Sequence, residues 1–213
     1  MNRHIQLGES AYRAHPFTSN SDFSKLHSRY LPMDALRFGT LFHSVTLEPK
    51  TVDYIQGTVK GYDYQYTQDE IRHTMRMNAA VRRDSFVASL LNSSSVEVEM
   101  YNLNTDFAGT IIDTKRKYDF WNYVVGWGGD LKSTSATTEQ QFLEDVDQYD
   151  YDRARVFYAK GSGARRDFIV GVSKVYPHKI FKVFMQQGCP LWKRGIEKGN
   201  ALAIEFRERN PLF

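Results

Sequence analysis

A single cysteine, Cys189, occurs in 213 residues. Disulfide frameworks and Cys-rich zinc or iron–sulfur centres each need several thiols, so both are excluded, and a reducing compartment fits. Long apolar runs are also missing. No stretch approaches the ~18 residues of a membrane span, and the opening MNRHIQLGES lacks the apolar core of a signal peptide. The expectation is a cytoplasmic protein with no membrane association. A strong charge of one sign is missing as well: 28 basic residues stand against 25 acidic ones, a net +3. That balance permits a polyanionic partner without demanding one. Internal repeats, low-complexity tracts and linkers are absent, so residues 1–213 are expected to form one domain.

What is present argues for a folded globule. Apolar residues make up 41% of the chain and aromatics 14%, too many for a disordered segment. Most of the aromatics are expected in the core, with one or two available for base stacking. Four local basic clusters, Lys115-Arg116-Lys117, Arg82-Arg83, Arg165-Arg166 and Lys193-Arg194, read as solvated faces.

Hydrophobic periodicity divides the chain into a mainly helical part, 1–92, and a part with a sheet and flanking helices, 93–213. Ser19 or Ser21 can cap a short helix over Asp22–Arg29, because a hydroxyl accepts from the free N–H groups of a first turn. Phe38, Leu41, Phe42 and Val45 have the 3,4-spacing of a buried helix over 35–48, with His43 one residue off that stripe. Residues 50–66 suit a loop or short strands. Residues 67–92 read as helical behind a Thr67/Glu70 capping box, with a break near Asp84. Val96, Val98 and Met100 alternate with Glu97, Glu99 and Tyr101, which predicts a half-buried strand whose acidic face is wet. Further strands are expected over 107–114, 117–121 and 123–132, with the glycines at 126, 128 and 129 suited to a bulge or a close backbone approach. One helix is expected over 137–160, strands over 168–175 and 180–185, and a last helix over 190–209. This order is α+β around a mixed sheet.

The stretch 107–133 carries the chemistry. Asp119 and Asp130 stand at strand positions, and in Asp130-Leu131-Lys132 the alternation of a strand puts the aspartate and the lysine on one face. Phosphodiester hydrolysis needs charge neutralisation at phosphate and an activated water. A Mg²⁺ or Mn²⁺ ion held by a few carboxylates can supply both. Asp119 and Asp130 can converge on such an ion, the Leu131 carbonyl is near enough to be a further ligand, and the Lys132 ammonium can orient the water. Alone, a D-x-K is common and usually marks a solvated strand end.

Other segments add to this one. Tyr12-Arg13-Ala14-His15-Pro16 with Ser19-Asn20-Ser21-Asp22-Phe23, then Phe38-Gly39-Thr40-Leu41-Phe42-His43 with Leu47-Glu48-Pro49, then Glu97–Tyr101, Lys115–Trp121, Gly129–Thr134, Tyr151–Tyr158 and Val172–Pro177 follow one another in order. This series resembles the PD-(D/E)xK nuclease superfamily, and within it the phage and prophage exodeoxyribonuclease VIII (RecE-type) group, across nearly the whole chain. The resemblance implies a restriction-endonuclease-like core with a central mixed β-sheet flanked by helices. It makes His43, Asp119 and Asp130 metal ligands together with the Leu131 carbonyl, Lys132 the catalytic lysine and Glu97 an accessory acid. A nitrogen ligand favours Mn²⁺ beside Mg²⁺. DNA contacts are implied for Lys115, Ser133, Thr134 and Tyr158. The group's Q-x-x-x-Y helix keeps its tyrosine as Tyr158, but Ala154 stands in the glutamine position, so Arg153 or Arg155 is the expected phosphate contact instead.

The implied activity is metal-dependent 5′ to 3′ degradation of linear double-stranded DNA from its ends, in phage-type recombination. The implied partners are DNA, a single-strand annealing protein and further copies in a ring-shaped oligomer. Two alternatives remain: an endonuclease or structure-specific nuclease on the same fold, and a non-catalytic DNA-binding protein. CRISPR-associated iron–sulfur nucleases are excluded by the cysteine count.

Overall fold

The computed structural model describes residues 7–27 and 32–210. Two short helices, α1 (Glu9–Ala14) and α2 (Asn20–Ser24), open the described chain, and α3 (Met33–Leu47) follows. A two-stranded ribbon, β1 (Val52–Asp53) and β2 (Thr58–Val59), precedes α4 (Gln68–Arg83) and α5 (Ser85–Asn92). The strands β3 (Ser95–Phe107), β4 (Thr110–Asn122) and β5 (Trp127–Thr134) form a meander. Then come α6 (Glu139–Gln148), α7 (Tyr151–Ser162), β6 (Arg166–Ser173), β7 (Ile180–Gln186) and α8 (Pro190–Arg209). The central sheet has five strands in the order β3-β4-β5-β6-β7, and only β5 and β6 run parallel. The architecture is α+β with a mixed sheet flanked by helices, as the sequence predicts.

Strand alternation sends apolar side chains to both faces. Phe120, Leu131, Phe168, Val170 and Val172 pack with Phe42, Met77, Val81 and Leu91 of α3–α5. Val98, Met100, Tyr118 and Ile169 pack with Phe142, Val146, Val156 and Trp192 of α6–α8. A smaller cluster gathers Leu41, Val45, Tyr66 and Ile71 with the half-buried Tyr54, Tyr62 and Tyr64, which accounts for the tyrosine-rich segment as packing. The Thr67/Glu70 box caps α4, and Asp84 both ends α4 and caps α5 through the Val87 N–H.

Several boundaries and exposures differ from the sequence reading. The helix expected over Asp22–Arg29 is α2, capped by a Ser19/Asp22 box and continued by a 3-10 turn over Lys25–His27; the remainder of the expected helix, from Ser28, lies outside the described residues. The segments 107–114 and 117–121 are one strand, β4, after a turn at Ala108-Gly109 where both φ values are positive, 53° and 91°. The basic cluster inside it is not a solvated face. Lys115 Nζ donates to the carbonyls of Tyr12, Arg13 and His15, and Arg116, fully buried, donates to the Tyr158 carbonyl. The acidic face of β3 is covered too. Glu99 is buried and accepts from the Leu7 N–H and the Tyr101 hydroxyl. The expected helix over 137–160 is broken into α6 and α7 at Asp150, which is left-handed with φ 53°. Gly128 and Gly129 form no bulge. They lie in register under Trp121 and Phe120, and a Cβ at either would run into the Tyr118 or Phe120 ring.

Candidate active site

The site begins where two strands part. The β4–β5 ladder pairs Asn122–Phe120 with Trp127–Gly129 and no further, while β4 continues along β3 and β5 along β6. At the parting, Asp119 replaces the lost backbone partner: its Oδ2 accepts the Leu131 N–H at 2.6 Å. The carbonyl of the same residue accepts from His43 Nε2 on α3 at 2.5 Å. For that bond Nε2 must carry the ring proton. Nδ1 then faces the Asp119 carboxylate at 3.6 Å. A proton on Nδ1, or a metal cation between the two groups, makes that approach favourable.

Glu97 completes the group. It lies opposite Asp119 in the β3–β4 register, between the pairs Val96↔Phe120 and Val98↔Tyr118, and holds a left-handed φ of 52°. A non-glycine residue in that region is strained, and such strain persists where surrounding structure imposes it. One ligand atom from each of His43, Glu97 and Asp119 lies within 4.8 Å of the other two. One nitrogen, two carboxylates and a histidine whose other nitrogen donates to a carbonyl are the donor set and the outer support of a divalent-cation site. The residues present therefore fit a metal ion.

Two lysines balance these acids. Lys117 Nζ bridges Glu97 and Glu9, each at 2.7 Å, and Glu9 comes from α1. Burial, reinforced by the Asp119 charge, raises the Glu97 carboxyl above its usual range despite Lys117. Lys132 Nζ pairs with Asp130 Oδ2 at 2.7 Å and lies 5.2 Å from the centre of the Tyr151 ring. Burial opposes the charged form of Asp130, but Lys132 and Arg155 outweigh it and hold the carboxyl low. Burial likewise opposes the ammonium of Lys132, and Asp130 and Asp119 reverse that. His43, Glu97, Asp119, Lys117 and Lys132 open together onto a cleft of about 460 Å³, walled by α1, α3 and the start of α7.

The sequence-predicted residues divide into two sets. His43, Glu97, Asp119 and Lys132 converge on the cleft, with Ser133 and Thr134 on its wall. Asp130 sits behind Lys132 and outside the three-residue ligand group. The Leu131 carbonyl is taken by His43. Thr134 donates to Asp145 at 2.5 Å and so ties β5 to α6. Lys115, Arg153 and Arg155, expected at the DNA, are all buried. Lys115 is committed to three carbonyls, Arg153 donates to Asn20 and Ser24, and Arg155 lies between Asp130 and Asp167. These three placements correct the expectation of phosphate contacts. Tyr158 is half-buried, its ring 4.1 Å from the Arg155 guanidinium centre. Sequence reasoning missed Lys117, Glu9 and Tyr151. Only Lys117 left a signal, two residues before Asp119 and hence on the same strand face.

No family model matches the chain, and no curated protein matches it. Among solved structures, the chain is similar to a candidate exonuclease from Eubacterium rectale, with a TM-score of 0.63 and 16% identity over 95% of this chain and 77% of that one. A phage-related exonuclease from Haemophilus somnus aligns with a TM-score of 0.39 at 11% identity, over 97% of this chain and 95% of that one. The protein SSO0001 aligns with a TM-score of 0.40 at 10% identity, over 94% and 88%. The Eubacterium rectale likeness is one of fold: this chain shares its mixed-sheet α+β architecture.

Proposed function

We propose that the chain is a divalent-metal-dependent deoxyribonuclease of the PD-(D/E)xK type, and more narrowly an exonuclease on linear double-stranded DNA. The observation that carries this is the convergence of His43 Nδ1, Glu97 and Asp119 beside the Lys132 ammonium at the splayed end of β4 and β5. A binding module has no need of a histidine nitrogen, two carboxylates and an ammonium gathered at one cleft. The fold shared with a protein described as a candidate exonuclease supports the reading.

In this proposal His43, Glu97 and Asp119 hold Mg²⁺ or Mn²⁺, and Asp130 anchors Lys132 beside them. The bound ion would neutralise charge at the scissile phosphate and acidify a water. Lys132 orients that water and offers a proton-bearing cation to the reacting oxygens. Lys117 offsets the acids before the ion arrives. Ser133 and Tyr151, both on the cleft wall, would contact the DNA strand. The family resemblance extends the proposal to 5′ to 3′ digestion in phage-type recombination, in the cytoplasm, with an annealing protein and further copies of the chain as partners. Among the described residues no helix is long and apolar enough to cross a membrane.

The test is degradation of linear against covalently closed circular duplex with Mg²⁺ or Mn²⁺. Loss of the linear form alone supports an exonuclease, and loss of both supports the endonuclease alternative. Protein inert on linear, nicked and single-stranded DNA with either metal would sink both.

A further inference from the structure

Four charged side chains alternate in sign from the interior to the cleft. Asp167 on β6 is fully buried, and its Oδ1 lies 3.5 Å from Arg155 Nη1. Arg155 on α7 is 1% exposed, and its Nη2 lies 4.0 Å from Asp130 Oδ1. Asp130 Oδ2 in turn lies 2.7 Å from Lys132 Nζ, which reaches the cleft. The rings of Tyr118 and Tyr158 flank the guanidinium, with centres 5.4 and 4.1 Å from its carbon.

Stability does not explain this arrangement. A buried ion pair rarely outperforms apolar side chains of the same volume, because desolvation offsets the attraction. This pair is far from the bidentate geometry that makes such contacts strong: Arg155 Nε and Nη1 make no hydrogen bond among the described residues. A methionine on α7 would fill the same space between two aromatic rings. What a methionine could not do is set the direction of the Asp130 carboxylate. That carboxylate is pulled from opposite sides, by Arg155 on Oδ1 and by Lys132 on Oδ2, so its plane is fixed. With Arg155 absent it could turn both oxygens to Lys132 and draw the ammonium inward, away from the cleft.

We infer that Arg155, anchored by Asp167, is a positioning residue for the Asp130–Lys132 pair, holding the Lys132 ammonium out over the cleft. Arg155 touches no cleft surface and acts through Asp130 alone. The consequence for catalysis rests on the nuclease reading; the consequence for geometry does not.

The test is the double variant Arg155→Met/Asp167→Asn, which removes both buried charges together and so avoids stranding one of them. Its crystal structure without metal and its steady-state kinetics on linear duplex DNA are compared with the wild type. The expected structure has the Lys132 ammonium displaced by about 1 Å or more, and the expected kcat falls by about 10–100-fold with KM within about twofold, since a misplacement of that size is felt in the chemical step. Arg155→Lys keeps the charge but presents a single ammonium in place of the fork, so an intermediate kcat is expected. It provides the same comparison should the double variant not fold. An undisplaced Asp130–Lys132 pair overturns the proposal, and so does a displaced pair with kcat within twofold of wild type. Wild-type protein that cleaves no DNA removes the nuclease reading instead, and the crystallographic comparison then decides the positioning role alone.

Discussion

Asp119 and His43 are both oriented by the backbone of one residue, Leu131: its N–H donates to Asp119 Oδ2 at 2.6 Å and its carbonyl accepts from His43 Nε2 at 2.5 Å. The residue between Asp130 and Lys132 thus aligns two candidate ligands through its backbone while its side chain, fully buried, plugs the core against α3–α5. The ligand geometry is thereby tied to the packing of the sheet, and perturbing either reaches the other.

Asp119→Asn separates the two roles of that carboxylate. The amide oxygen can still accept the Leu131 N–H, so the fold is expected to survive with a melting temperature close to wild type. The negative charge is lost, and affinity for Mn²⁺ is expected to fall by about 10–100-fold with cleavage abolished. Isothermal titration with Mn²⁺ and a thermal melt check both halves. Unchanged Mn²⁺ binding would falsify the assignment of Asp119 as a ligand.

Removal of the imidazole distinguishes metals. His43→Ala deletes the nitrogen donor and leaves the carboxylates, so affinity for Mn²⁺ is expected to drop more than affinity for Mg²⁺, which prefers oxygen. Competition titration reads the ratio; equal losses would argue against direct ligation by His43.

Lys115 tests the correction at β4. Lys115→Met removes a donor shared by three carbonyls of the α1 segment, of which that of Tyr12 keeps the His15 N–H, and an expected cost of about 1–3 kcal/mol follows. Chemical denaturation measures it, and limited proteolysis should open the chain near α1 first. The salt dependence of DNA binding should not change, because the lysine is 5% exposed and meets no phosphate. A shallower salt slope would restore it to the DNA surface.

The pH dependence of stability carries the signature of Asp167. Burial raises its carboxyl, Arg155 opposes this, and the result is pushed up to about 7. A carboxyl with a raised value in the folded state holds its proton more tightly there than in the unfolded chain. Its contribution is therefore present at low pH and lost as pH rises from the ordinary ~3.9 toward about 7. Asp130 acts in the opposite sense, since its lowered value matters only below the ordinary range. Glu97 is raised and shares part of the Asp167 window, so the comparison is with Asp167→Asn. In EDTA, the urea midpoint of wild type should decline between about pH 4 and pH 7 more steeply than that of the variant. Parallel curves would remove Asp167 from the account.

The elements legible in the sequence are those whose cause is local. The stripe Leu41, Phe42, Val45 and the capping box at Thr67 mark α3 and α4 because periodicity and caps are properties of short windows. What is illegible depends on distant chain. The pair Lys115-Arg116 reads as a break between two strands, yet it is strand: α1 supplies carbonyls to Lys115 and α7 supplies one to Arg116, while Glu9 and Glu97 supply carboxylates to the neighbouring Lys117. The break at Asp150 is equally silent, because a polar residue in a helical run has no local mark of a left-handed φ. At the site, the motif locates His43, Glu97, Asp119 and Lys132 by residue type and order. It does not say which way α7 turns, and that rotation put Arg153 and Arg155 inside the molecule instead of on the cleft.

Gly128 and Gly129 set the mutational tolerance of the whole centre. Neither lines the cleft, yet a side chain at either would push β5 away from the Tyr118 or Phe120 ring and carry Asp130 and Lys132 with it. A saturation screen scored on DNA cleavage should return both glycines beside the charged residues, as positions where even alanine is rejected. A screen scored on expression alone should penalise them less than it penalises Phe120, since strand and ring can move apart and the chain still fold. The difference between the two screens would measure how finely the proposed chemistry depends on the spacing of two strands.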